Sequence, residues 1–192
     1  MKYSKLTKTI YGDPQSYQMT AIREKDMEDI RVWRNAQIEV LRQKTSISEE
    51  SQKIYFSNAV IPTFSQKEPQ QMLFSFLFQE DCIGYGGLTN IDWEAKRAEV
   101  SFLVDPKRIN PLQYAKDYQQ FLSLLCFIAF NELKFHRLFT ETFAFRKEHQ
   151  KILEDFGFKK EGILRDHVWK QHQWYDSIMH GLLTGEYNDA EE

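Results

Sequence analysis

The stretch Ala98-Glu-Val-Ser-Phe-Leu-Val-Asp-Pro106 lies at the middle of the chain and decides how the segments around it are interpreted. Polar and apolar residues alternate along it, a pattern typical of a strand with one face in the core. Asp105-Pro106 then supplies a turn signal. We therefore predict a strand over residues 97–104 that ends at Asp105-Pro106.

The segments that follow this strand alternate between helical and strand patterns. Apolar residues recur at three- and four-residue spacing from about Ala115 to Lys134, which predicts a long, deeply buried helix. An amphipathic helix is predicted over residues 147–156, and Gly157 suits the C′ position that ends it. Strands are predicted over residues 136–143, 162–169 and 174–183.

The segments that precede it begin with a polar stretch, Met1 to Pro14, that has no clear period. One bent helix or two short ones are predicted from Glu24 to Leu41, and a further helix has Ser48 as its N-cap. Strands are predicted over residues 17–22, 71–79 and 82–90.

This order of elements predicts one mixed α/β domain, α+β-like in its first half, with a central mixed sheet of about seven strands. No internal repeat and no Gly/Ser- or Pro-rich linker divides the chain. We expect a single domain over residues 1–192, with a core at 19–183 and flanking segments at 1–16 and 184–192.

Composition excludes several classes of protein. The 192 residues are 42% hydrophobic and 28% charged, with a formal net charge of −3 and no basic block, so we expect no nucleic-acid partner. The longest apolar stretch, residues 121–130, is shorter than the roughly 20 residues that span a bilayer, so we expect no membrane partner either. With no apolar signal core in the first 20 residues, we expect a cytoplasmic protein.

The metal-ligating residue types do not occur at ligand spacing. Cys82 and Cys126 lie in apolar surroundings without a C-x-x-C motif, which favours core thiols over a bridge or a zinc site. The histidines show no pair four residues apart on a helix, so no metal is expected.

Three segments together resemble the GNAT superfamily of N-acetyltransferases. They are Ile30-Arg-Val-Trp-Arg-Asn35, then Ile83-Gly-Tyr-Gly-Gly-Leu through Val104-Asp-Pro106, and Ile152-Leu-Glu-Asp-Phe-Gly-Phe158 with Glu161-Gly-Ile-Leu-Arg165. The chain is most similar to the branch of ribosomal-protein N-terminal and nucleotide-amino-sugar acetyltransferases. The resemblance implies an enzyme that takes acetyl-CoA as acyl-donor substrate and transfers the acetyl group by direct attack of a primary amine.

The resemblance also implies a GNAT-type fold, with helices on both faces of the sheet and a splayed central strand pair. That pair would be the strand ending at Val104 and the strand at 136–143. Backbone groups of Phe102, Leu103 and Val104 would then face the pantetheine arm and the acetyl oxygen.

The family's phosphate loop matches Gln113-Tyr-Ala-Lys116-Asp-Tyr118, where Lys116 and Tyr118 replace small residues. The resemblance therefore assigns Gln113, Tyr114 and Lys116 to the cofactor phosphates, although Lys116 reads equally well as an exposed lysine of a first helical turn.

Two further positions, Arg146 and His149, match residues that face the cofactor in related proteins. A core or boundary histidine is the alternative interpretation of His149. Leu153 stands where some members carry the tyrosine that protonates the leaving thiolate.

Two carboxylates are candidates for the general base. Glu141 matches the base position of some N-terminal acetyltransferases, and Glu99 on the neighbouring strand is the second candidate. A structural alternative pairs Glu141 with Arg97 or Arg137.

The acceptor is expected to bind against an aromatic and cationic wall made of Trp33, Arg34, Tyr85, His167 and Trp169. Such a wall favours a small-molecule amine, with a nucleotide-linked amino sugar as first choice and a protein N-terminus as the alternative. A second class of function stays open, a non-catalytic acyl-CoA-binding domain. We expect a monomer or a homodimer.

Overall fold

The computed structural model describes residues 1–188, which form one eight-stranded sheet with helices on both faces. Its strands are β1 Ile10–Gly12, β2 Tyr17–Ala21, β3 Met72–Phe78, β4 Asp81–Asp92, β5 Arg97–Val104, β6 Arg137–Phe143, β7 Lys159–Lys170 and β8 Gln173–Leu183. Its α-helices are α1 Met27–Ala36, α2 Glu49–Tyr55, α3 Pro111–Cys126, α4 Lys147–Phe156 and α5 Thr184–Asn188.

The strands are ordered β1-β2-β3-β4-β5-β6-β8-β7. Strands β5 and β6 are the parallel pair at the centre, and every other neighbouring pair in the described sheet is antiparallel. Residues 97–99 pair with residues 137–139, after which the two strands part. The predicted mixed α/β fold with a splayed central pair is thus confirmed.

The two faces of the sheet carry different helices because successive side chains of a strand point to opposite faces. The ring of Phe102 stacks on Tyr118 of α3, with 4.7 Å between ring centroids. Its neighbour Leu103 instead joins a separate apolar cluster with Trp33 of α1. Helix α3 therefore covers one face of β5, and α1 covers the other.

Both predicted helix signals are confirmed. The Ser48 side chain accepts a hydrogen bond from the Ser51 amide at the start of α2. Gly157 ends α4 with a φ of +116°, a conformation that glycine adopts more readily than other residues.

The N-terminal part of the chain differs from the prediction. Strand β1 brings the count to eight rather than about seven; it was missed because residues 1–14 have no hydrophobic period. The expected flanking segment 1–16 also reaches the core, where the Tyr3 hydroxyl donates to the Leu73 carbonyl oxygen at 2.9 Å. At the other end, α5 occupies Thr184–Asn188, and residues 189–192 of the expected flanking segment lie outside the described residues.

Helix α3 begins earlier than predicted. It starts at Pro111, and the side chain of Asn110 accepts the amide of Gln113 as N-cap, whereas the apolar period becomes visible only from about Ala115. Its first turn is amphiphilic and exposed, so periodicity could not detect it.

Candidate active site

The gap between the parted strands β5 and β6 holds a cavity of about 400 Å³. Strand residues from both sides line it, together with side chains from the 40–43 loop and from helices α3 and α4. The lining includes Glu99, Phe102, Tyr118, Thr140, Glu141, Arg146 and His149. Because alternate residues of each strand face opposite sides, the cavity is bordered by groups from both faces of the sheet.

On the α1 face, one guanidinium lies between two carboxylates, and we call Arg42, Glu99 and Glu141 the carboxylate cluster. Arg42 Nη2 lies 2.6 Å from Glu99 Oε1 and 3.0 Å from Glu141 Oε2, and its Nη1 lies 3.3 Å from Glu99 Oε2. Burial is the largest single influence and lowers the pKa of Arg42, but the hydrogen bonds to Glu99 and the charges of Glu99 and Glu141 together outweigh it and raise that pKa, so the cation persists. One positive charge is therefore shared by two carboxylates, one on each of the two strands.

The partners of the cluster differ in exposure. The side chains of Glu99 and Glu141 are 8% and 16% exposed, whereas that of Arg42 is 51% exposed. Asn90 Nδ2 donates to Glu99 Oε2 at 2.6 Å, and His167 Nε2 lies 3.6 Å from Glu141 Oε1. The carboxylates are thus fixed in the sheet, while the cation that pairs with them comes from a more exposed loop.

The loop that carries Arg42 is held at points on either side of it. Arg34 Nε donates to Gln43 Oε1 at 3.0 Å, and the Asn35 side chain accepts the Ile47 amide at 2.8 Å. Lys170 Nζ donates to the Ile38 carbonyl oxygen at 2.9 Å. The loop backbone is anchored, and Arg42 itself projects from it into the gap.

On the opposite face, Tyr114, Arg146 and His149 form a second group, the tyrosine–histidine cluster. Arg146 Nη2 donates to the Tyr114 hydroxyl oxygen at 3.0 Å. The tyrosine oxygen lies 2.7 Å from His149 Nδ1. Since arginine has no acceptor, the tyrosine proton points to Nδ1, which leaves the imidazole proton on Nε2.

The imidazole of this second cluster is uncharged. Burial, with the Arg146 charge as a further cause, holds the pKa of His149 well below 6.5. Burial also raises the pKa of Tyr114, although Arg146 opposes that shift. His149 is therefore neutral and Tyr114 protonated at neutral pH, and His149 is both a buried boundary residue and a wall of the cavity.

The gap also contains an unsatisfied polar atom. Thr140 is 2% exposed, lines the cavity, and its hydroxyl has no hydrogen-bond partner in the described part of the chain. At the end of β5, the Val104 carbonyl oxygen accepts Gln37 Nε2 at 2.8 Å. The edges of β5 and β6 beyond residues 99 and 139 therefore offer backbone groups to a molecule in the gap.

Residues expected to hold the cofactor fall into two sets. Phe102 lines the cavity, whereas the side chain of Leu103 packs in the apolar cluster under α1 and that of Val104 is fully buried; the backbone roles assigned to these three residues stay predictions. Gln113 and Lys116 point elsewhere: Gln113 Nε2 donates to Asp117 Oδ1 at 2.7 Å, and Lys116 Nζ lies 5.9 Å from the ring centroid of Tyr17.

The expected acceptor wall is also divided. Trp33 is 7% exposed and packs in the apolar cluster under α1, with Tyr85 beside it. The Tyr85 hydroxyl accepts a hydrogen bond from Arg34, so this pair supports the loop through Gln43. His167 and Trp169 line a second cavity of about 670 Å³, which Arg42 also borders.

The alternative pairing of Glu141 with Arg97 or Arg137 is wrong. Arg97 pairs with Asp92 at 3.3 Å, and Arg137 pairs with Glu161. Arg137 is the first residue of β6, four residues before Glu141, and it pairs in register with Leu183 of β8. The partner of Glu141 is Arg42, which no sequence period marks.

The sequence reasoning missed Arg42, Asn90, Gln37 and Thr140. Gln37 and Arg42 lie in or beside turns, where no period exists, and only the abundance of polar residues after Asn35 was available as a signal. Asn90 lies in β4 at a register irregularity, which the sequence pattern does not mark. Thr140 was overlooked because a threonine within a strand is common.

Comparison with protein families decides the identity of this site. The sequence profile described as "Acetyltransferase (GNAT) domain" matches residues 19–179. The chain belongs to the GNAT acetyltransferase family. It is therefore an N-acetyltransferase, and the acyl donor of the family, acetyl-CoA, is its donor substrate. Curated protein sequences contain no match to it.

Solved structures share the fold of this GNAT chain. A spermidine N-acetyltransferase from Vibrio cholerae, in complex with CoA and spermine, has a TM-score of 0.78 at 16% identity, with 92% of this chain and 99% of that chain covered. A dodecameric form of spermidine N-acetyltransferase from Vibrio cholerae gives 0.76 at 16% identity, with 94% and 100% covered. A structure described as a putative acetyltransferase gives 0.72 at 16% identity, with 97% and 92% covered.

Two further observations concern other classes of ligand. None of the helices within residues 1–188 is long and apolar enough to cross a membrane. The same residues contain no cluster of three or more His, Cys, Asp or Glu side chains arranged to hold a metal ion.

Proposed function

We propose that this GNAT chain acetylates a small primary amine that enters as its ammonium between Glu99 and Glu141. The observation that carries the proposal is the position of Arg42, whose guanidinium already occupies a cation site made by both carboxylates. A cationic nitrogen of the acceptor would take the place of that guanidinium, since the Arg42 side chain is half exposed and the carboxylates are not.

Glu141 is proposed as the general base. An ammonium must lose one proton before its nitrogen attacks a thioester, and a carboxylate within hydrogen-bond reach is suited to accept it. Glu141 has His167 3.6 Å away and half exposed, which offers that proton a route to solvent. Glu99 accepts hydrogen bonds from both Arg42 and Asn90, so it is better suited to hold the amine than to exchange protons.

The thioester is proposed to lie in the gap between β5 and β6. Backbone N–H groups along the unpaired edge of β5, at Phe102 and Val104, would stabilise the oxyanion that forms when the amine attacks, whereas the Leu103 amide points to the opposite edge, where Leu103 pairs with Tyr85 of β4. The C–N bond forms, the C–S bond breaks, and the thiolate takes up one proton. Because the residue at the family's tyrosine position, Leu153, is buried and apolar, we propose that water supplies this proton.

Two acceptor classes fit the cavities. An alkylamine with further cationic groups is the first choice; it is supported by the carboxylate pair and by the structural neighbour described with spermine. A nucleotide-linked amino sugar is the second choice. It is supported by the 670 Å³ cavity beside Arg42, where Trp169 offers a ring and Lys44 and Lys170 offer cations.

The test is an acetylation assay with acetyl-CoA and a matched panel of amines. The panel contains spermidine, a nucleotide-linked amino sugar and a peptide with a free N-terminus, and the readout is thiol release together with the mass of the product. Acetylated spermidine at the highest kcat/KM supports the first choice. Absence of product with every amine, while CoA still binds, would establish the non-catalytic acyl-CoA-binding alternative instead.

The cellular compartment of the reaction is proposed from the state of the two cysteines. Neither Cys82 nor Cys126 is in a disulfide, and burial raises the pKa of the Cys82 thiol to about 12, which makes it unreactive. Such thiols suit a reducing compartment, so we propose that the protein acts in the cytoplasm. We propose a monomer or a homodimer, which sedimentation measurements would distinguish.

A further inference from the structure

The last residue of β5, Val104, directs its backbone groups into the gap. Successive residues of an antiparallel strand point their N–H and C=O groups to opposite sides. Leu103 pairs with Tyr85 of β4. The Asp105 amide donates to the Ile83 carbonyl oxygen on the same strand at 2.9 Å. The N–H and C=O of Val104, which lies between these residues, therefore point away from β4, to the side where β6 has parted from β5.

A side chain from the end of α1 occupies the carbonyl group of Val104. Gln37 Nε2 donates to the Val104 carbonyl oxygen at 2.8 Å and lies 3.3 Å from the Trp33 carbonyl oxygen. Since both partners are acceptors, the nitrogen of the Gln37 amide is the atom that faces them. A molecule in the gap thus finds this carbonyl group already hydrogen-bonded.

The oxygen of the Gln37 amide has no such partner. Within residues 1–188, no group donates a hydrogen bond to Gln37 Oε1, and the residue is half-buried. An amide whose N–H donates to a carbonyl group becomes a stronger acceptor at its own oxygen, because hydrogen bonds in a chain polarise one another. Gln37 therefore presents, at Oε1, the acceptor that the Val104 carbonyl group no longer offers.

The position of Gln37 is fixed by its backbone as well. Its N–H donates to the Arg34 carbonyl oxygen at 3.3 Å, and its carbonyl oxygen accepts the Val40 amide at 3.0 Å. These bonds hold it as the C-cap residue of α1. A side chain that is held in place beforehand loses less conformational freedom when a ligand binds to it.

Gln37 also lies where two cavities meet. It lines a cavity of about 660 Å³, to which Val40, Arg146 and His149 contribute as well. The same three residues line the cavity of about 400 Å³ in the gap, so the two cavities adjoin. Gln37 therefore borders the passage from the gap to the larger cavity.

The start of α3 gives the direction in which the donor would extend. Asn110 and Pro111 line the larger cavity at this helix N-terminus. Helix N-termini attract phosphate groups, because their amides and dipole favour negative charge. With its thioester in the gap and its phosphates at α3, the donor would run from the smaller cavity to the larger one. The pantetheine arm joins these two ends, and Gln37 lies beside it.

We infer that Gln37 is a donor-binding residue, whose Oε1 accepts an amide N–H of the pantetheine arm while its Nε2 stays on the Val104 carbonyl oxygen. The side chain thereby extends the edge of β5 toward the donor. The inference rests on the proposed function, because it needs the thioester in the gap. It concerns the donor alone and does not depend on which amine is acetylated.

The test measures donor binding in Gln37→Leu, which removes the amide at similar volume. Calorimetry gives the Kd of CoA, and initial rates with one amine give KM for acetyl-CoA and kcat. We expect both Kd and KM to rise by about 3- to 10-fold, the range for one neutral hydrogen bond, with kcat within about twofold of wild type. Gln120→Leu, at an exposed position of α3, is the matched control and should bind CoA as wild type does. An unchanged or lower Kd in Gln37→Leu would overturn the inference.

Truncated donors separate this role from a structural one. S-acetyl-pantetheine keeps the amides of the arm, so Gln37→Leu should lower its kcat/KM by the same factor as for acetyl-CoA. S-acetyl-mercaptoethanol has no amide, and its kcat/KM should not change. An equal loss with all three donors would overturn the inference, since Gln37 would then only hold α1 against β5.

The outcomes also distinguish this inference from the proposed function. Weaker binding of both CoA and pantetheine to Gln37→Leu, in a protein that acetylates none of the amines, upholds the inference and overturns the proposed acceptor. Amine acetylation at wild-type KM for acetyl-CoA in Gln37→Leu overturns the inference alone. Absence of CoA binding to the wild-type protein overturns both.

Discussion

The carboxylate cluster and the tyrosine–histidine cluster border the same gap from opposite faces of the sheet. They differ in which of their side chains are ionised. In the carboxylate cluster, a persistent cation is shared by Glu99 and Glu141 and comes from an exposed loop. In the tyrosine–histidine cluster, burial keeps His149 neutral and Tyr114 protonated. Under the proposed function, the first cluster would exchange its cation for the ammonium of the acceptor, and the second would keep its charge unchanged.

This difference matches the two halves of acetyl transfer. An amine arrives as an ammonium and must be bound as a cation and then deprotonated, which needs ionised carboxylates. A pantetheine arm carries no charge near the thioester, so the wall that faces it needs shape and fixed dipoles. The contrast is testable because each cluster can be altered without touching the other.

The largest effect is expected when the base is removed. Glu141→Gln keeps the volume of the side chain but cannot take a proton, so kcat should fall by roughly 10²- to 10⁴-fold while CoA binding persists. Stopped-flow thiol release and calorimetry measure the two quantities.

Glu99→Gln is the matched control for this prediction. It should raise the KM of the amine more than it lowers kcat, because Glu99 is proposed to hold the amine. Unchanged turnover in Glu141→Gln with a large loss in Glu99→Gln would move the base to Glu99.

Removal of one hydroxyl should destabilise the tyrosine–histidine cluster. Tyr114→Phe removes the hydroxyl that donates to His149 Nδ1 and accepts from Arg146, and leaves only the longer contact of 3.3 Å between Arg146 Nη2 and His149 Nδ1, so the free energy of unfolding should fall by about 1–3 kcal/mol. Urea denaturation measures it. Leu112→Ala, on the same helix and 87% exposed, is the control and should change stability by less than about 0.5 kcal/mol. A Tyr114→Phe protein as stable as wild type would show that water replaces the hydroxyl.

A smaller effect is expected when the internal cation is removed. Arg42→Ala frees both carboxylates, so the KM of a cationic amine should fall by about 3- to 10-fold, which corresponds to an ion-pair strength near 1 kcal/mol. Because Arg42 is half exposed, stability should change by less than about 1 kcal/mol. Arg42→Lys is the control and should keep the wild-type KM. A higher KM in Arg42→Ala would mean that Arg42 helps to bind the acceptor.

The smallest effect concerns pH. Below about pH 6.5, His149 takes up a proton in the unfolded chain but not in the folded one, because burial lowers its pKa in the fold. The unfolded state then binds more protons, so this contribution to stability is complete above pH 6.5 and is lost as pH falls toward the lower folded pKa. Thermal unfolding from pH 7.5 to 5 should show a shallower decline in His149→Gln than in wild type. The same substitution at the exposed His172 should leave the decline unchanged.

Much of the fold could be predicted from the sequence because it rests on local periodicity. The alternation in β5, the helical stripe of α3 and Gly157 after α4 each correspond to an element that the structure contains. The parting of β5 and β6 followed from the resemblance. Short or exposed elements such as β1 and the first turn of α3 escaped prediction, because a few residues without a buried face carry no period.

The sequence by itself determined the residue types of the site: two strand glutamates, and an arginine and a histidine at the start of α4. Only the tertiary structure decided their partners. Glu141 faces Arg42, which is 99 residues away in the chain, and Tyr114 meets His149 across two helices. The residues that match the phosphate loop lie in a helix instead, since their backbone amides are paired within α3. Periodicity reports which face a residue takes, but hydrogen bonds between distant segments depend on how those faces are brought together in three dimensions.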